Sequence, residues 1–266
     1  MVRCGCGYFL AGALGKPLFP DYVHHRPLAF GEAIPWMRSA WRKLWYRWKE
    51  RGQEARLITY FSRRFFLAPL QVHNDAQVTV HGDVTGVEAF IASAIHSFAH
   101  HAPKDTLLVF KHHPMDRGYR SYSRFIRTCA RAAKVRERVV YIHDQHLPTL
   151  LTHARGVVVI NSTVGLSALH HGRPTIACGT SMYDMPGLTY QGRLDDFWAA
   201  ANRSAPNAAL YRRFRHHLIA KTQLNGSFYR ALQVPGAIGG LVWTRPAWPA
   251  APAEAELVEE LASPPS

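Results

Sequence analysis

Acidic residues are in short supply: 18 Asp plus Glu stand against 32 Lys plus Arg in 266 residues, a formal net charge of +14. That imbalance implies an anionic partner, whether nucleic acid, an acidic membrane surface, or a phosphorylated or carboxylated substrate. Cysteine is scarcer still. Cys4, Cys6, Cys129 and Cys178 match no zinc-binding spacing, and Cys4 and Cys6 are too close for an easy disulfide. The expected setting is reducing and cytoplasmic, with Cys129 and Cys178 as small buried apolar groups. Long apolar runs are missing too. Tyr8 to Leu14 is too short to span a bilayer and resembles a weak signal-peptide core with no cleavage site after it. Ten of the 16 histidines form five adjacent pairs (His24 and His25, His100 and His101, His112 and His113, His170 and His171, His216 and His217); within these pairs the spacing is not the i, i+4 that puts two ligands on one helical face, and no metal site is expected. A Walker loop, a GxGxxG turn and a Gly-x-Ser-x-Gly elbow are all absent.

What the chain does have is 47% hydrophobic residues, enough to bury a core in one large or two small domains. Four zones follow one another. Residues 1–35 are irregular, and residues 36–66 read as a basic helix rich in Trp. Residues 67–230 alternate strand and helix, and from about 231 a Pro- and Ala-rich stretch reads as a loose tail.

In the third zone Gln77–Val80, Thr106–Phe110, Arg138–Ile142, Gly156–Ile160 and Pro174–Ala177 read as strands. Val87–His101, Tyr122–Lys134, Leu147–Ala154 and Val164–His171 read as helices, the first with apolar residues at helical spacing. Such alternation predicts an α/β domain with a parallel sheet flanked by helices. Ligands of such sheets bind at the carboxyl ends of the strands. That rule selects Lys111–Gly118, Asn161–Gly165 and Cys178–Tyr183.

Each place carries plausible chemistry beside a plainer reading. Lys111, His112, His113, Pro114, Asp116 and Arg117 form a cationic strand-end loop suited to a phosphate, where a His can also protonate a departing oxygen. The plain reading is a solvated basic loop with one His packed on the sheet. Adjacent residues point to opposite sides, so one of His112 and His113 is expected to face a ligand. Asn161, Ser162, Thr163 and Gly165 open a helix, where backbone N–H groups favour an anion; an ordinary helix cap looks the same. Gly179 and Tyr183 can lie against a nucleotide or serve only as turn residues.

In the basic helix Trp41, Trp45 and Trp48 share one face, with Arg38 and Arg42 nearer another. Trp mixed with cations suits a membrane interface, while the plain alternative packs the Trp face on the domain.

KHHPMDRG, INSTVGLSALHHGRPTIACG, MYDMPGLTYQG, LDDFW and TQLNGSFY, in that order, resemble the capsule polysaccharide synthesis and export family. The likeness runs from about Asp21 to Tyr229 and is to its single-module β-Kdo transferases. It implies the C-terminal Rossmann-like half of a GT-B glycosyltransferase. The implied reaction is inverting and independent of metal and cofactor. It transfers 3-deoxy-manno-octulosonic acid (Kdo) from CMP-Kdo to phosphatidylglycerol on the cytoplasmic face of the inner membrane, alongside other capsule synthesis and export proteins. The family's His-Pro and serine motifs, which hold the CMP phosphate, match His113-Pro114 and Ser162-Thr163. His113 is then the expected catalytic group, with Lys111 and the helix start after Asn161 stabilising the departing CMP. Residues 1–66 would be a remnant of an N-terminal half, and no general base is identified in them. Two other readings stay open: a non-catalytic, membrane-associated export component, and a nucleic-acid-binding protein, which has no recognised module here.

Overall fold

The computed structural model describes residues 33–72, 86–222, 226–227 and 238–239. The expected strand at Gln77–Val80 and most of the N-terminal and C-terminal zones lie outside these residues.

The basic segment is two helices, not one: α1 (Ala33–Lys49) and α2 (Gln53–Tyr60). The break falls at Gly52, whose left-handed φ of 77° suits a residue without a Cβ. The helix expected to run through residue 66 instead gives way to strand β1 (Phe65–Pro69), buried along its whole length. Its FFLAP run is the uninterrupted apolar pattern of a strand covered on both faces, and Pro69 sits at its last position, where a missing N–H does least harm.

From there the alternation follows the expected course. Helix α3 spans Val87–His101, and β2 (Leu107–Lys111) leads through a short 3₁₀ turn at Pro114–Asp116 into α4 (Ser123–Ala132). Next come β3 (Val139–Ile142), α5 (Leu147–His153), β4 (Gly156–Val159), α6 (Val164–His170) and β5 (Thr175–Ala177). Helix α7 (Leu194–Ala200) closes this part. The five strands form one sheet in the order β3-β2-β1-β4-β5, with every neighbouring pair parallel.

Alternate strand residues face opposite sides of a sheet. Phe66, Ala68, Leu108, Phe110, Val158 and Ile176 share a buried cluster with Phe90, Phe98, Ile126, Phe197 and Trp198 of α3, α4 and α7. Its centre is aromatic: Phe66 meets Trp198 edge to face at 4.9 Å, and the Trp198 indole donates to Ser97 Oγ at 2.7 Å. That bond lets a Trp N–H be buried without loss of its partner. The buried residues Leu57, Leu150, Leu151, Ala168 and Leu169 belong to α2, α5 and α6. The sheet is therefore covered by helices on both faces.

The chain divides into two compact units, 1–205 and 206–266. In the second, α8 (Ala208–Thr222) precedes two short parallel strands, β6 (Gly226–Ser227) and β7 (Ile238–Gly239).

Candidate functional site

Strand order reverses direction at the centre of the sheet, where β1 neighbours both β2 and β4. Diverging loops leave a crevice above the carboxyl ends at such a point. Here Gln71, after β1, donates from Nε2 to Asn161 Oδ1, after β4, at 2.9 Å.

At the end of β2 the cationic loop divides between interior and surface. Lys111 is buried, and its ammonium donates to the His143 carbonyl at 3.0 Å; burial lowers its pKa. His112 is buried as well, with Nδ1 2.6 Å from the Tyr141 hydroxyl. Burial first, and then the neighbouring His143, push its pKa down to about 3, so it stays neutral at ordinary pH. His113 is half-buried and caps the 3₁₀ turn, its Nδ1 accepting from the Met115 N–H at 3.2 Å. With Nδ1 an acceptor, the neutral ring carries its proton on Nε2. Pro114 is exposed at the start of the turn. Asp116 is wholly buried and bonded to the Tyr122 hydroxyl, whose pKa burial and that carboxylate raise to about 12. Arg117, also buried, forms an ion pair with Asp144.

The end of β3 completes this cluster, and the strand-end rule as applied to the sequence passed over it. Glu50, just after α1, accepts from the His143 backbone N–H at 2.9 Å and lies 2.5 Å from its Nδ1; Gln145 Nε2 donates to the same carboxylate at 3.2 Å. The Tyr46 ring stacks on His143 with centroids 3.4 Å apart. One turn on, Glu54 accepts from the His146 N–H at 2.7 Å. Two acids four residues apart thus clamp the β3–α5 loop. No local pattern announces this, because the partners are about 90 residues away in the chain.

At the ends of β4 and β5, Asn161 and Ser162 are half-buried and Thr163 is exposed. Ser162 Oγ accepts from the Val164 N–H at 3.2 Å in a local hydroxyl turn, while Thr163, at the N-cap position, makes no side-chain cap bond. The Tyr183 hydroxyl donates to the Ser162 carbonyl. A Cβ on Gly165 would meet the Tyr183 ring at 2.4 Å, so this glycine is there to let Tyr183 pack. Gly179 lines an open hollow of about 250 Å³ with Cys178, Thr180, Ser181 and Asp184. A larger hollow, of about 590 Å³, lies between α3 and α4, away from the strand ends.

The expected ligand-facing set therefore separates by burial. Lys111, His112, Asp116, Arg117, Gly165 and Tyr183 are buried and engaged by the protein partners described above. His113, Pro114, Asn161, Ser162, Thr163 and Gly179 are set at the carboxyl edge. A half-buried imidazole and a helix start at the carboxyl ends of strands either side of β1 are residue types suited to anion binding and proton donation. Among the described residues, no three or more His, Cys, Asp or Glu are grouped to hold a metal ion, and no helix is long and apolar enough to cross a membrane.

The family model for "Capsule polysaccharide biosynthesis protein" matches residues 7–229. The chain belongs to that family. The match reaches back to residue 7, ahead of the likeness seen from Asp21. Capsule polysaccharide export protein KpsS of Escherichia coli is 42% identical over 223 residues, covering 84% of this chain and 57% of that protein. Capsule polysaccharide modification protein LipB of Neisseria meningitidis serogroup B is 40% identical over 237 residues, covering 88% of this chain and 56% of LipB. The chain thus spans a little over half the length of these relatives. Among solved structures, KpsC of Thermosulfurimonas dismutans, a beta Kdo 2,7 transferase, overlaps with a TM-score of 0.37 at 20% identity, covering 63% of this chain and 57% of that one. WaaG, a glycosyltransferase involved in lipopolysaccharide biosynthesis, overlaps with a TM-score of 0.33 at 14% identity, covering 65% and 47%.

Proposed function

We propose that this chain carries the donor-binding half of an inverting GT-B glycosyltransferase. The reaction moves β-Kdo from CMP-Kdo to phosphatidylglycerol and so starts the lipid linker of a capsule polysaccharide. One observation supports the reading: in a member of the capsule family, the half-buried His113, after β2, and the Asn161–Thr163 segment, after β4, stand at the carboxyl ends of the two strands that flank β1. The CMP phosphate would sit between them. His113 would supply a hydrogen bond, and then a proton, to the departing phosphate oxygen as the bond to the sugar breaks. Ser162 and Thr163 would hold the phosphate, and Gly179 would border the nucleoside. Lys111, His112, Asp116 and Arg117 act behind them, fixing the loop that presents His113. No cofactor enters this scheme. The site of action would be the cytoplasmic face of the inner membrane, with capsule synthesis and export proteins as partners.

Calorimetry with CMP at fixed low salt tests this reading. Saturable binding by the wild type, weakened about tenfold or more in His113→Ala, is expected, since a charge-assisted contact to phosphate contributes about 1.5–3 kcal/mol. A folded wild type that binds no CMP overturns it. The export role in the name of KpsS supports a second reading, a non-catalytic, membrane-associated export component. Turnover of CMP-Kdo with phosphatidylglycerol separates the two.

A further inference from the structure

Helix α1 presents three distinct faces. Pro35, Arg42, Tyr46 and the following Glu50 meet the body of the protein. Arg42 donates to the Arg117 carbonyl at 2.7 Å, Tyr46 stacks on His143, and Gly118 lies so close that a Cβ there would be 2.2 Å from the Pro35 carbonyl oxygen. These anchors stop the helix from rolling. The opposite face carries Ile34, Met37, Trp41, Leu44, Trp45 and Trp48, each 41% to 66% exposed. At 100° per residue these six fall within an arc of about 100°. Lys49 borders that stripe on one side, next to Arg38, whose guanidinium donates to the Gly118 carbonyl at 3.4 Å; Lys43 and Arg47 lie beyond its other side, and α1 contains no acidic residue.

We infer that this stripe is a docking surface for an anionic lipid bilayer, on which α1 lies in the plane of the headgroups. Indole rings and long apolar side chains enter the headgroup–acyl boundary, while flanking Lys and Arg reach lipid phosphates and carboxylates. The charge pattern argues against a second copy as occupant. A two-fold pair across this face would set cations opposite cations, with no acid in the helix to pair them. The Trp faces also argue against a nucleic acid. Trp41 and Trp45 stack on each other at 5.8 Å with planes 8° apart, leaving fewer ring faces for bases. The surface would bring the donor site to a lipid acceptor, and to that extent it rests on the transferase reading, although vesicle binding does not depend on it.

The test uses the full chain with vesicles of phosphatidylcholine alone, or containing about one third phosphatidylglycerol or phosphatidylserine. Co-sedimentation should be about tenfold stronger or more on both anionic mixtures than on phosphatidylcholine, with a blue shift of Trp emission and weakening at high salt. Trp41→Ser/Trp45→Ser/Trp48→Ser should lose about tenfold or more of this binding, and Lys43→Glu/Arg47→Glu should lose the anionic preference. Thermal melting must show both variants folded; a variant that fails is replaced by the single change Trp41→Ser, which should lose part of the binding. Unchanged binding by the folded triple variant overturns the inference. So does a folded wild type that ignores all vesicles, a Trp-dependent dimer, or Trp-dependent binding to a single-stranded oligonucleotide in place of vesicles. CMP calorimetry on the same samples reports separately on the donor site.

Discussion

His112 is held neutral by burial and by a neighbouring imidazole, and this ties stability to pH. Its folded pKa of about 3 lies below the ordinary value of 6.5. Above pH 6.5 neither folded nor unfolded chain binds the proton, so the group costs nothing. As pH falls from 6.5 toward 3 only the unfolded chain takes it up, and stability drops by up to about 1.4 kcal/mol per pH unit. Urea midpoints at pH 7 and pH 5 should show this loss in the wild type and a smaller one in His112→Gln. Equal pH dependence in the two would refute the assignment. The sequence shows the adjacent pair at 112 and 113 and implies that one ring faces inward. It does not show which, because the deciding partner, Tyr141, arrives from 29 residues away across the β2–β3 pairing.

Helix α1 and the Glu50 that follows it illustrate what an element gains from a distant strand. The buried Glu50 carboxylate receives bonds from the His143 backbone, the His143 ring and Gln145. Removing it leaves buried donors unanswered, a loss that mutational precedent puts at about 3 kcal/mol. Glu50→Ala should lower urea stability by about that amount, whereas Glu137→Ala, at a side chain 92% exposed, should change it by less than about 0.5 kcal/mol. A neutral Glu50→Ala would mean that the clamp is incidental. Periodicity located α3, α4, α5 and α6 to within a residue or two, because each has its own apolar spacing or start signal. It failed at β1, where five apolar residues follow a helical stretch and end in Pro. A continuous apolar run reads equally as buried strand or helix, and only the flanking β2 and β4 decide it.

Across the whole molecule, protection should follow the sheet. Phe65–Ala68 of β1, Leu108–Phe110 of β2 and Val157–Val159 of β4 have no exposure, while Val139–Tyr141 of β3 are half-buried. Native-state hydrogen exchange should find the slowest amides in β1, β2 and β4 and faster ones in β3; the reverse order would contradict the packing described. The alternation of elements was enough to predict the parallel sheet, and the strand-end rule to pick the edge that the CMP calorimetry tests. The central place of β1 was not legible, because spatial order is a tertiary property that no local pattern encodes.

That central place has a consequence for biosynthesis. β1 is the earliest of the five strands to leave a ribosome, yet its second neighbour, β4, starts only at Gly156. Until that strand is made, the FFLAP segment has a partner on one side and a bare row of amides and carbonyls on the other. A nascent or prematurely released chain would therefore offer its greasiest strand as a template for another such chain, and a holding chaperone would be needed during that interval.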